Sequence, residues 1–174
     1  MSQRADRSTP GGHDGAMSTT TTFDMTYDAP LATVIAMLAD QSFREQVCDA
    51  QHATSKTVSI SGIPGTVDIA FTQATEGVPP FAKKFVDSTV SVTQHETWST
   101  PKAATIDIDA GVPIASIKGS IALDERGAQT VQTMTLQISV KVPLVGGKLE
   151  NLVSDMMRKA FAKEHAVGKA YLAR

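Results

Sequence analysis

The stretch VSVTQHETW, residues 90 to 98, concentrates the side chains of this sequence that could do chemistry. Val90 and Val92 alternate with polar residues as they do in a strand with one buried face, and the same phase continues through Gln94, Glu96 and Trp98. An amide and a carboxylate then point inward beside an indole. A carboxylate in apolar surroundings is costly unless hydrogen-bonded, and desolvation favours its neutral form. Glu96 is therefore a candidate acid or base, or a polar anchor for a ligand hydroxyl. The competing reading is a bulge that shifts the phase, or a wet cavity mouth at this end of the strand; it is preferred because strand phase slips easily. Trp98 reads as an anchor at the strand end sooner than as a stacking platform.

The other reactive groups carry less. Glu164 falls inside the apolar arc of the last predicted helix beside Lys163, where a rim carboxylate paired to a Lys or Arg is the commoner arrangement and a pocket anchor the rarer one. The four histidines, His13, His52, His95 and His165, show no ligand spacing, so no metal site is expected. Cys48 is the single cysteine; with no identifiable basic partner it reads as a semi-buried structural thiol. Neither G-x-S-x-G nor G-x-G-x-x-G occurs, and LVGGK lacks the first glycine and the Ser or Thr of a phosphate loop. No catalytic residue and no cofactor is assigned.

The elements that must position these groups belong to one domain, since 174 residues suit a single core. A formal charge of −2 provides no basic field for nucleic acid, and no apolar run is long enough to insert stably in a membrane. One cysteine and no secretory leader make the cytoplasm the default address, and the polar outer face weakly favours a monomer. Residues 1–19 mix Gly, Pro, Ser and charges and read as a disordered tail, with Met17 as a conceivable alternative start; the domain is placed at 20–174.

That domain opens with a strand through Phe23, Met25 and Tyr27. Asp28 is positioned to cap a short helix carrying Leu31, Val34, Ile35 and Leu38, and Ser42 with Glu45 forms a capping box for a second helix reaching about Asp49. From 54 to 142 alternation recurs in six further strands separated by turn compositions, so the sheet is a mostly antiparallel meander. EGVPPFAKKF is a longer loop with one helical turn, exposing Phe81. After Gly146 and Gly147 a helix over 147–172 would span about 39 Å, with Leu149, Val153, Met156, Ala160, Val167 and Tyr171 on one face and Leu152 and Met157 at its margins. Only the inner face of the sheet offers that arc a large apolar surface.

Strand, two short helices, six strands and a long C-terminal helix resembles the START-like, SRPBCC or helix-grip, superfamily. VPPFAKKFV, VSVTQHETW and VPLVGGKLENLV are similar to a family of uncharacterised actinobacterial proteins within it, over about residues 20 to 172. The resemblance implies an α+β fold in which a curved seven-stranded antiparallel sheet wraps around the terminal helix and leaves a cavity. Members of that superfamily bind lipids, sterols, polyketides and hormones, and some cyclise or hydroxylate substrates; the leading reading here is a non-catalytic carrier or sensor for a small hydrophobic, lipid-like or polyketide-like molecule. The expected wall comprises Phe71, Val90, Val92, Gln94, Glu96, Trp98, Ile106, Ile108, Ile117, Met134, Leu136 and Ile138 from the sheet. Val153, Met156, Met157 and Ala160 come from the helix, and Phe81 with the turn at Gly111 forms the entrance. Met134, Met156 and Met157 suit varied apolar shapes, although core packing explains them as well. A cyclase or hydratase using Glu96, and a protein-interaction module with a side-chain-filled interior, are the alternatives.

Overall fold

A computed structural model describes residues 18–174. Most of the expected tail, with His13 and Met17, lies outside the described residues, and Thr19 already opens the first strand.

Strand β1 (Thr19–Tyr27) buries Phe23, Met25 and Tyr27 on one face, as its alternation predicts. Helices α1 (Leu31–Leu38) and α2 (Gln41–Ala50) follow. Their caps differ from expectation. Pro30 holds the N-cap position of α1 without a side-chain bond, while the Asp28 carboxylate accepts from the Gln129 amide. Asp40 caps α2 by accepting from the Ser42 backbone amide at 2.8 Å. The acidic residue two positions earlier reaches that free amide, so Glu45 is left to accept from the Gln41 side chain at 2.9 Å.

Six strands then run as a meander: β2 (Ser55–Ile60), β3 (Gly65–Ala74), β4 (Thr89–Thr100), β5 (Ala103–Asp109), β6 (Ala115–Arg126) and β7 (Gln129–Val140). A single 3-10 turn at Lys83–Phe85 interrupts the long connection between β3 and β4. The sheet order is β1-β7-β6-β5-β4-β3-β2 with every pairing antiparallel, so β1 and β2 are the two edges and α1 and α2 link them. Gly119 in β6 allows an unusually close approach to β7. A Cβ there would lie 1.8 Å from the Thr135 carbonyl oxygen of β7, a backbone approach that only glycine permits.

Helix α3 (Gly146–Leu172) has 27 residues, about 40 Å at 1.5 Å per residue, and packs mainly on β1, β7 and α2. Its rotation differs from the predicted one. The packed line runs through Glu150, Ser154, Phe161, Glu164 and Gly168, with Leu149 of the predicted arc also buried at the start of the helix, whereas Met156 is 41% exposed and Val153 and Ala160 only half-buried. Projected at 100° per residue, this line lies roughly a quarter turn from the apolar arc. Polar partners on β1 and β7 allow it: Thr19 donates to Glu150 at 2.9 Å, Thr21 and Ser154 share a hydrogen bond of 2.7 Å, and Glu150 accepts from the Val140 amide at 3.1 Å. The Phe23 and Phe161 rings meet at 5.0 Å, and Gly168 leaves room for the Tyr27 ring, which a Cβ would meet at 2.6 Å.

Candidate functional site

Because α3 leans toward the β1/β7 side, space remains between its apolar arc and the opposite half of the sheet. This cavity measures about 780 Å³, within the range of small-molecule sites. Of the residues assigned to its wall from sequence, Phe71, Val90, Val92, Gln94 and Ile108 of the sheet line it, as do Val153, Met156, Met157 and Ala160 of α3.

The other eight do not. Ile117, Met134, Leu136 and Ile138 are wholly buried on β6 and β7, the side of the sheet toward which α3 leans, and Ile106 is buried on β5 without reaching the wall. Glu96 and Trp98 sit behind the wall. Phe81 points outward, 41% exposed, with the Lys148 ammonium over its ring; Ala82 and Phe85 of the same loop face inward instead. One lip is formed by His52, Glu76 and Gly77, and the helix side by Asp155, Met156, Lys159 and Lys163, all exposed. Gly111 is absent from the wall, although Val112 and Ile114 after it contribute.

The cavity is chemically uneven along its length. Around Leu149 and Leu152 it meets a cluster containing Val78, Ala82, Phe85, Ile114 and Val140. Fifteen residues further along α3, about 22 Å, it meets Glu164, with Arg44 and Gln94 also on the wall.

Arg44 was not singled out by sequence reasoning. It lies on the inner face of α2 with Phe43, Val47 and Cys48, 3% exposed, and forms a two-pronged ion pair with Glu96 at 2.9 and 3.0 Å. Its Nε donates to the Leu38 carbonyl at 2.8 Å. Glu96 also accepts from Gln94 Nε2 at 2.7 Å and from the Trp98 indole at 2.8 Å. Four donors occupy the four lone-pair directions of the carboxylate. Glu96 thus serves as the counter-ion of Arg44, in place of both the candidate acid, base or ligand anchor and the preferred bulge or wet mouth. The phase of β4 does hold through Trp98; the register irregularity comes one step later, between Trp98 and Thr100. Burial opposes the charge on Arg44, yet Glu96 and Glu164 together hold its pKa above the ordinary value.

Glu164 corrects a second expectation. It is 5% exposed, it sits on the wall, and among the described residues its carboxyl has neither a hydrogen-bond donor nor a direct ion pair. Burial pushes its pKa up to about 7, Arg44 pulling against and Glu96 adding to the rise. Tyr27, wholly buried nearby, has for its hydroxyl, among the described residues, only the Met25 sulfur at 3.8 Å, and burial with the charge of Glu164 raises its pKa. Cys48 also lines the cavity; burial and neighbouring Asp49 push its thiol up to about 11, so it is held as an inert thiol. The described residues contain no cluster of three or more His, Cys, Asp or Glu suited to a metal ion, and none of their helices is long and apolar enough to cross a membrane.

The family described as Protein of unknown function (DUF2505) matches residues 22–172. The chain belongs to that family. Its architecture is the START-like, or SRPBCC helix-grip, fold. Among solved structures, this DUF2505 chain is similar to the Zhui aromatase/cyclase of Streptomyces sp. R1128, with a TM-score of 0.67 at 11% identity, covering 91% of this chain and 95% of that one. It is also similar to Ara h 8.0201, with a TM-score of 0.64 at 14% identity over 91% and 100% of the two chains. Norcoclaurine synthase from Thalictrum flavum, solved with dopamine and hydroxybenzaldehyde, has a TM-score of 0.60 at 13% identity over 99% and 98%. At these identities the likeness is one of fold. No curated protein sequence matches the chain.

Proposed function

We propose that this protein holds a small hydrophobic molecule, lipid-like or polyketide-like, between the sheet and α3, acting as a carrier or sensor in the cytoplasm. The observation that carries this reading is the rotation of α3. Its packed line includes Glu150, Ser154 and Glu164, while Leu149, Val153, Met156, Met157 and Ala160 border about 780 Å³ of space. Apolar surface left beside open space forgoes the gain of roughly 25 cal/mol per Å² that burial would bring, and a ligand of matching shape supplies it. The norcoclaurine synthase of like fold was solved in complex with dopamine and hydroxybenzaldehyde, which supports a small-molecule occupant here.

A cyclase or hydratase working through Glu96 has no support, since that carboxylate is fully engaged behind the wall. An interaction module was expected to have a filled interior, and this one is open. The test is native mass spectrometry of the purified protein together with a thermal-unfolding screen of fatty acids, isoprenoids and sterols. A ligand at one hundred times its Kd should stabilise by about 2.7 kcal/mol, raising Tm by roughly 5–11 °C. If nothing co-purifies and no compound of these classes shifts Tm, the reading fails.

A further inference from the structure

The cavity wall contains a buried carboxyl that has no partner among the described residues. Glu164 is buried, faces the cavity and has no donor among the described residues, although a carboxyl enclosed in this way ordinarily has a partner. Arg44 stands close enough to influence it without touching it. Of the five N–H bonds of its guanidinium, three are taken by Leu38 and Glu96, which leaves two without a partner among the described residues. The charge of Arg44 is already matched by Glu96, so what the pair offers a ligand is hydrogen-bond donors sooner than net charge.

We propose that Glu164 and Arg44 form a head-group site for a hydroxyl, alcoholic or phenolic, on an otherwise apolar ligand. This rests on the reading of the cavity as a ligand site and adds the polar end of the ligand. A hydroxyl is the smallest group that satisfies both partners at once, its oxygen accepting from an Arg44 N–H and its proton going to a Glu164 oxygen. A carboxylate head would be repelled by Glu164, and an ammonium head would have no use for the remaining N–H bonds of Arg44. The apolar cluster around Leu149, Leu152 and Phe85 lies about 22 Å away along α3, where the body of such a molecule would extend.

The test uses the full chain and the neutral dye N-phenyl-1-naphthylamine, displaced in turn by 1-dodecanol, 1-methoxydodecane, dodecylamine and dodecanoate. The ether keeps the acceptor oxygen and the chain but lacks the proton for Glu164. The wild type should prefer the alcohol to the ether by about tenfold or more, as expected of a hydrogen bond to an ionisable group. Glu164→Leu should reduce that ratio to below about twofold, and Glu164→Gln, which still accepts, should retain several-fold of it. Because the readout is a ratio within each variant, a general change in dye affinity cancels, and a thermal melt confirms that each variant is folded. Equal affinity for alcohol and ether, a preference that survives in Glu164→Leu, or tighter binding of dodecylamine or dodecanoate than of the alcohol overturns the head-group site while leaving the ligand reading intact. Failure of the dye and of all four compounds to bind overturns both.

Discussion

Replacing Glu164 with Gln should make this protein more stable, and only at neutral to alkaline pH. The folded carboxyl titrates near about 7 against an ordinary 4.5. Between those values the native state binds more protons than the unfolded chain, so stability falls as pH rises. The favourable state is fully present below about 4.5 and fully lost above about 7. Two and a half units at about 1.36 kcal/mol each amount to roughly 3 kcal/mol. Glutamine keeps the shape of the side chain and removes the charge that burial opposes. The variant should therefore exceed wild type by less than about 1 kcal/mol at pH 5 and approach about 3 kcal/mol at pH 8, equivalent to roughly 6–12 °C in Tm for a domain of this size. Urea unfolding followed by circular dichroism across that pH range measures it. A variant no more stable than wild type at pH 8, or a gain that does not change with pH, would refute the argument.

Three further outcomes follow from the same geometry. Arg44→Met should cost about 3–5 kcal/mol by leaving Glu96 buried without its counter-ion, and the double variant Arg44→Met/Glu96→Leu should regain most of it, as measured by denaturant midpoints. Gly119→Ala should destabilise by about 3 kcal/mol or more, since its Cβ would meet a backbone oxygen at 1.8 Å, whereas Gly127→Ala, with nothing within 4 Å, should lose only what its positive φ imposes. Ala160→Trp, which projects into the cavity from a half-buried position, should leave the melting temperature within a few degrees of wild type while weakening dye binding at least tenfold, and unimpaired binding would contradict the assigned wall.

The strands were legible because alternation has only two phases, and Phe23, Val92, Ile108 and Leu136 fall where that pattern places them. The rotation of α3 was less so. A helical projection ranks faces by apolarity, and here hydroxyls at Thr19 and Thr21 and the Val140 amide make a mixed face the packed one. Those partners lie more than a hundred residues away, or on a strand whose register no local pattern reveals. Glu96 does face inward, against the bulge or wet mouth that the sequence favours, and what the pattern of β4 alone does not reveal is its partner Arg44. A signal existed: Arg44 shares the apolar face of α2 with Phe43 and Val47, and two inward residues of opposite charge each require the other. The statistics of surface pairs point to a rim carboxylate at Glu164 and do not anticipate a group enclosed beside a cavity. Each cap lies two positions from the expected one, Pro30 in place of Asp28 and Asp40 in place of Ser42.

The quarter turn of α3 divides the helix into two lines that answer to different demands. Along Glu150, Ser154, Phe161 and Gly168 each side chain is held by β1 or its neighbours, so change there endangers the frame itself. At Met156 and Ala160 there is no such grip, and larger or smaller residues alter capacity and shape with little consequence for folding. Diversification of cargo can therefore proceed on one side of a single helix while the other side keeps the architecture constant.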